Sequence, residues 1–336
     1  MIEESHWHPV ASADDVQSEP VAVVLLERPL VLWRDAAGVV HAWADRCPHR
    51  GARLSLGRVV SGSLECPYHG WQFGASGQCV RVPALPSFVP PAAHCAVVHQ
   101  ACERYGLVWV KLDLGVGPVE STADLPVFAA EQEERLRKLN CGPYDVATSA
   151  GRIVENFLDM AHFGFVHEGW LGARDATSID DYQVAPTLTG LRATGCKAWQ
   201  PQSSVHSRAP AQVEYTYDVV APFAAVLTKI PEASSLAASV VAAAGYQEAI
   251  ALFIAPMGPE QSRVWFRMAV ADFATPDDKL RDFQHTIFMQ DKPILESQNP
   301  RRLPLDLRAE LHTVADKASS AYRRHLQALG VTFGVC

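Results

Sequence analysis

The chain has 336 residues, of which 48% are hydrophobic and 20% charged, enough to bury a full core and unlike a disordered or fibrous composition. Its length suits one large domain or two ordinary ones, with two as the default. A net charge of -8 with no long run of one sign argues against a nucleic-acid surface, so no DNA or RNA partner is expected.

The start "MIEESHWHPV" lacks the basic head and apolar run of a signal peptide. The longest charge-free apolar region, residues 233–247, is shorter than the roughly 18 residues that cross a bilayer, so a cytoplasmic chain without a membrane span is expected. From residue 21, two β-rich runs, "VAVVLL" and "PLVLW", flank Glu27-Arg28, and "VVHAWADR" follows a turn; these read as short antiparallel strands. A segment rich in Cys and His comes next, and "RYGLVWVKLDL" (104–114) reads as one more strand. Small residues and prolines in 115–126 mark a boundary, which gives units 1–117 and 118–336.

Beyond the boundary, 151–167 has helical spacing and 182–272 alternates in runs such as "VEYTYDVV" and "AIALFIAP", the pattern of an antiparallel sheet. Residues 278–298 return to helix with Pro293 expected to distort it, and the last helix should end at Gly330. The fold class is therefore α+β: a mostly β unit, then an antiparallel sheet flanked by helices. The small-residue stretch 232–247 reads as a loop or packed helix, with a lid over a pocket as the other reading.

Eight cysteines show no disulfide-scaffold spacing, and only Cys47 and Cys66 have histidines at ligand spacing. "DRCPHRGARLSLGRVVSGSLECPYHGWQF" (45–73) holds Cys47, His49, Cys66 and His69 as C-x-H, sixteen residues, then C-x-x-H. Two thiolates and two imidazoles suit tetrahedral zinc or an iron–sulfur cluster. A structural zinc site groups its cysteines and its histidines, whereas here each half supplies one of each. That interleaving suits a [2Fe–2S] cluster with two cysteines on one iron and two histidines on the other.

A second constellation lies in "ENFLDMAHFGFVH". Asp159 and His162, three apart, share a helix face, while His167 must come round through a bend. A histidine in "AHFGF", taken alone, reads first as a hydrogen-bonded core residue. Downstream of the Cys/His segment, the pair reads as two arms of a 2-His-1-carboxylate site for Fe(II), with the carboxylate supplied from far along the chain. "FMQDKPILESQNP" offers Asp291 and Glu296, and Asp218 or Glu248 are more distant candidates.

Through "CPHRGA" and "CPYHGW" the sequence resembles the Rieske family. Respiratory members carry an extra cysteine in each loop; Ala52 and Tyr68 stand there instead, which implies the lower-potential oxygenase type. "WHPV", "ERYGLVWV", the histidine segment and "QDKPILESQ" extend the resemblance to stand-alone Rieske non-haem iron oxygenases over nearly the whole chain. "HEGWLG" and "GVTFGVC" resemble saxitoxin-tailoring hydroxylases, and N- and O-demethylases are similar more broadly.

The resemblance implies a monooxygenase terminal component that uses O2. Its [2Fe–2S] cluster would be held by Cys47, His49, Cys66 and His69, its mononuclear Fe(II) by His162, His167 and Asp291. Electrons would come from NAD(P)H through a separate flavin or iron–sulfur reductase. Asp159 would join His162 to His69 of a neighbouring protomer, making a homotrimer functional, and Asn156 either lines the iron site or plays a helix-surface role. The substrate would be a small aromatic, heterocyclic or alkaloid molecule, with Phe223, Tyr246, Phe253 and Trp265 as candidate pocket walls. The rival reading is a non-enzymatic Rieske electron carrier.

Overall fold

The computed structural model describes residues 1–112, 122–202, 209–231 and 248–336. The chain divides into two compact units, Glu3–Leu125 and Pro126–Cys336. The expected boundary stretch lies partly, and the 232–247 segment with Tyr246 wholly, outside the described residues.

The first unit is built from strands. They are β1 (His8–Ser12), β2 (Val21–Leu25), β3 (Arg28–Arg34), β4 (Val40–Ala44), β5 (Arg58–Val60), β6 (Ser63–Glu65), β7 (Gln72–Phe73), β8 (Cys79–Arg81), β9 (Val98–Arg104) and β10 (Leu107–Lys111). One sheet has the order β1-β10-β9-β4-β3-β2 and a smaller one β5-β6-β7-β8. The strand expected over 104–114 is β10, Leu107–Lys111, and the residues just before it form the turn of a hairpin with β9. Tyr105 and Gly106 both take positive φ, 58° and 71°, and the tight turn pairs Leu107 with Arg104. Trp33, Trp43 and Trp109 are fully buried, so these short strands gain stability by covering large rings.

The second unit carries a seven-stranded antiparallel sheet. Its strands are β11 (Arg137–Val146), β12 (Gln183–Pro186), β13 (Leu191–Gln200), β14 (Ala211–Ala221), β15 (Ala224–Pro231), β16 (Glu248–Gly258) and β17 (Gln261–Val270), in the order β11-β17-β16-β15-β14-β13-β12. Among the described residues, helices α1 (Ala150–Leu158), α2 (Phe163–Val166), α3 (Asp277–Ser297) and α4 (Lys317–Leu329) accompany it. The segment expected as one helix over 151–167 is thus broken: Asp159 is extended, with φ -92° and ψ 135°. The helix α3 runs on through Pro293, and α4 ends at Gly330 in the left-handed conformation, φ 76°.

α1 is held by a buried ion network. Arg152 and Arg323 are each 2% exposed; Arg152 donates to Glu310 at 2.6 Å and Arg323 to Glu155 at 2.6 Å. Both guanidiniums are desolvated, so removing a carboxylate partner would leave an uncompensated buried charge. The network fixes the helix that ends at Asp159.

Candidate functional site

Cys47 and Cys66 occupy two copies of one turn. In the first, the Cys47 amide donates to Ala52 O at 2.7 Å and Cys47 O accepts from Gly51 at 2.9 Å. In the second, the Cys66 amide donates to Trp71 O at 2.8 Å and Cys66 O accepts from Gly70 at 3.1 Å. Gly51 and Gly70 take φ of 74° and 69°, a left-handed geometry that side chains resist. The first loop leaves β4 and the second joins β6 to β7. Asp45 braces the first, accepting from the Ser55 amide at 2.7 Å and its hydroxyl at 2.6 Å.

The turns bring all four residues together. Both cysteines are buried and free, and the His49 and His69 rings lie 4.6 Å apart. His49 stacks on Trp71 at 4.4 Å with 5° between planes, and Tyr68 packs on His69 at 3.8 Å. Burial pushes the Cys47 thiol up to about 11, opposed by the backbone N–H groups of His49 and Arg50 that point at its sulfur. A buried thiol of this kind becomes a thiolate when metal supplies the opposing charge, and N–H donors to sulfur are a feature of cluster sites. The donor set fits a [2Fe–2S] group with two imidazoles.

In the second unit, His162 Nε2 lies 3.2 Å from His167 Nε2, and Asp291 Oδ1 is 3.5 Å from the first and 3.2 Å from the second. The break after α1 brings this about. His162 follows the extended Asp159, α2 makes one turn, and His167 leaves it with φ -111° and ψ 33°. Asp291 comes from α3. The other carboxylates considered from sequence have other partners: Glu296 the Ala147 amide at 2.9 Å and Lys292 at 2.8 Å, Asp218 Arg192 at 2.5 Å, and Glu248, in the wall of the adjoining pocket, Lys229 at 3.2 Å.

Each histidine uses its outer nitrogen for support. His162 Nδ1 is 3.0 Å from Asp159 Oδ2, and His167 Nδ1 is 2.8 Å from Gln290 Oε1, so each neutral ring carries its proton on Nδ1 and turns Nε2 inward. Asp159 Oδ1 also accepts from the Ala161 amide at 2.8 Å. Burial opposes charge on both members of the Asp159–His162 pair, but their mutual contact outweighs it, lowering the carboxyl and raising the imidazole. With both rings neutral, two lone pairs and a carboxylate oxygen face one another at 3.2–3.5 Å, an arrangement that a cation between them would stabilise. The geometry therefore fits a metal ion with room for further ligands.

Asn156, in the last turn of α1, donates to Asp291 Oδ1 at 3.3 Å and lines the adjoining pocket. Gln290 had no signal in the sequence beyond standing next to Asp291. The pocket encloses about 770 Å³, its open mouth included, between the sheet and the helices α1 and α3. Its aromatic walls are Phe157, Phe163, Tyr215, Tyr217, Phe266, Phe283 and Phe288. Phe253 and Trp265, expected as walls, are cross-strand partners on the other sheet face: Ile250, Leu252 and Phe266 point into the pocket, and strand side chains alternate. Phe223 packs in the core at the β14–β15 turn instead.

Residues 6–100 match the Rieske [2Fe-2S] domain and residues 146–332 the Vanillate O-demethylase oxygenase C-terminal domain. The chain is 32% identical over 333 residues to methylxanthine N1-demethylase NdmA of Pseudomonas putida, spanning 96% of this chain and 88% of that one. It is 40% identical over 232 residues to a probable methylxanthine N7-demethylase, NdmC, of Pseudomonas sp. (strain TJI-51), covering 68% and 77% of the two chains. The structure of Pseudomonas putida CBB5 NdmA with caffeine superposes with a TM-score of 0.81 at 29% identity, covering 97% of this chain and 90% of that one. No helix among the described residues is long and apolar enough to cross a membrane. A cluster domain joined to an oxygenase domain excludes a simple electron carrier, and the chain belongs to the Rieske non-haem iron oxygenases, as the terminal component that receives electrons from a separate reductase and acts with O2 on a small molecule.

Proposed function

We propose that this chain oxidatively demethylates a small N-heterocycle, with hydroxylation of a ring or chain carbon as the related outcome when no methyl is presented. The similarity to methylxanthine N-demethylases over nearly the full length supports demethylation. The observation that carries the reading is the convergence of His162, His167 and Asp291 beneath a largely apolar pocket, both imidazoles turning Nε2 toward the carboxylate. In this reading those three hold mononuclear iron, while Cys47, His49, Cys66 and His69 hold the cluster. Bound there, the cluster supplies single electrons and the iron activates O2. NAD(P)H and a proton balance the reaction: one oxygen atom goes to the methyl carbon, which leaves as formaldehyde, and the other to water.

The protein's own residues do the positioning. Asp159 and Gln290 fix the two ring tautomers, and Asn156 steadies the carboxylate of Asp291. The aromatic and aliphatic lining binds a planar ring and excludes water. Asp159 further joins His162 to His69 of the partner subunit in a homotrimer; the exposed ring of His69 and the 27% exposure of the Asp159 side chain leave both open to such a contact. A cytoplasmic location completes the reading. The test is formaldehyde formed per NADH oxidised with reductase and methylated purines. A ratio near one supports it; NADH oxidation that yields only peroxide with every methylated substrate, while an unmethylated ring is hydroxylated, would replace it.

A further inference from the structure

One pair in the pocket is not used by any of this. Tyr215, Lys229 and Glu248 stand directly opposite one another on β14, β15 and β16, and so share a sheet face. Two residues along, Tyr217, Leu227 and Ile250 form a second row on the same face. All six line the pocket that holds the two histidines and Asp291. The wall therefore has one polar row and one largely apolar row.

Lys229 and Glu248 are 4% and 7% exposed, with Nζ 3.2 Å from Oε2. Apart from that ion contact, Glu248 Oε2 meets no hydrogen-bond donor among the described residues. Behind them, Gln200 donates to the Tyr215 hydroxyl at 2.6 Å, which leaves the hydroxyl proton to be given onward. Desolvating two ions costs several kcal/mol each, and two apolar side chains of similar size hold a sheet equally well. A buried ion pair in a cavity wall is thus poorly explained by stability. It is well explained as a recognition element.

Its charge balance says what it recognises. Apart from the three candidate metal ligands, no other charged side chain among the described residues lines the pocket. A carboxylate-bearing ligand drawn to Lys229 would meet Glu248 beside it, and a cationic ligand the reverse. A neutral ring with a carbonyl next to an N–H meets neither penalty.

We propose that the Lys229–Glu248 pair selects the substrate, taking a neutral planar heterocycle by a lactam edge whose carbonyl accepts from Lys229 and whose ring N–H donates to Glu248. This rests on the reading of the same pocket as the substrate site, and it narrows the substrate to neutral lactams over benzoate-type acids. Amide-matched sites reject ligands that leave buried polar groups unpaired.

The test is calorimetric binding to the holoenzyme of theobromine, which has a free lactam N–H, caffeine, in which that N–H is methylated, and vanillate, a carboxylate. The wild type should bind theobromine about 10-fold or more tighter than either. Glu248→Gln should weaken theobromine and tighten vanillate, each about 10-fold, because the Lys229 charge is uncovered. The double variant Lys229→Met, Glu248→Leu, which leaves no lone charge, should bind theobromine and caffeine alike. Iron content and cluster absorbance confirm that each variant is folded. The proposal is overturned if the wild type fails to bind theobromine, binds vanillate as tightly, or if the ligand order survives in the double variant. O2 uptake is read separately: the expected binding order without theobromine-dependent O2 uptake supports the pair while counting against the oxygenase reading of the pocket. Demethylation with an unchanged order in both variants does the opposite.

Discussion

Cys47 and Cys66 are fixed by backbone bonds that reach five residues along the chain, whereas His167 leans on Gln290, 123 positions away. The cluster loops need two sheets to bring one turn against its copy. The second centre needs a break after α1, the ion network that holds α1, and the placement of α3 on the same pocket. A centre written into one short stretch keeps its geometry when distant residues change. One assembled across a domain responds to every group that sets its parts, including groups that never touch metal.

That contrast can be broken or sharpened by substitution. The largest effect is expected from His162→Ala or Asp291→Ala: product formation should cease while the visible absorption of the cluster stays intact, and retained turnover would refute the ligand assignment. Asp159→Asn should keep both metals yet slow single-turnover product formation about 10–100-fold, since a carboxylate that orients a ligand imidazole is worth about that much. Normal single-turnover kinetics would show that Asp159 is no bridge. Gln290→Leu should lower iron affinity about 10-fold by freeing the His167 ring, read as faster iron loss to a chelator with the cluster unchanged.

The smallest effect concerns the network behind α1. Hydrogen bonding from Arg152, then from Arg323, holds Glu310 down to about 2 from an ordinary 4.5. A depressed carboxyl stabilises the fold above the higher value and loses that contribution as pH falls toward the lower one. Allowing for solvent screening of a 30% exposed side chain, the contribution is about 1–2 kcal/mol. Wild-type melting temperature should therefore fall more steeply than that of Glu310→Gln between about pH 5 and pH 3; parallel curves would remove Glu310 from the account.

The same contrast governs what was legible in the sequence. Cys47, His49, Cys66 and His69 could be singled out because the turn and the candidate ligands are local, and the spacing of each half encodes its own geometry. His162, His167 and Asp291 could be singled out by residue type, but their meeting point depends on an extended residue at Asp159 that helical periodicity hides. Gln290 was invisible because an amide next to a carboxylate on a helix has no pattern of its own. Phe253 and Trp265 were misplaced because β16 is buried on both faces, so hydrophobicity alone does not say which parity faces the pocket. The Tyr105-Gly106 turn stands at the very start of the run read as a strand, where a single glycine beside apolar residues is a weak turn signal.

The central claim is that one chain holds a cluster by local turns and a separate iron by residues gathered across a domain. Iron and acid-labile sulfide per chain in the wild type and in a His162→Ala, His167→Ala double variant test it most directly. The account requires about three irons and two sulfides in the wild type, and about two and two in the variant with an unchanged Rieske absorption spectrum. An unaltered iron count in the variant, or two irons in a turnover-competent wild type, would contradict it.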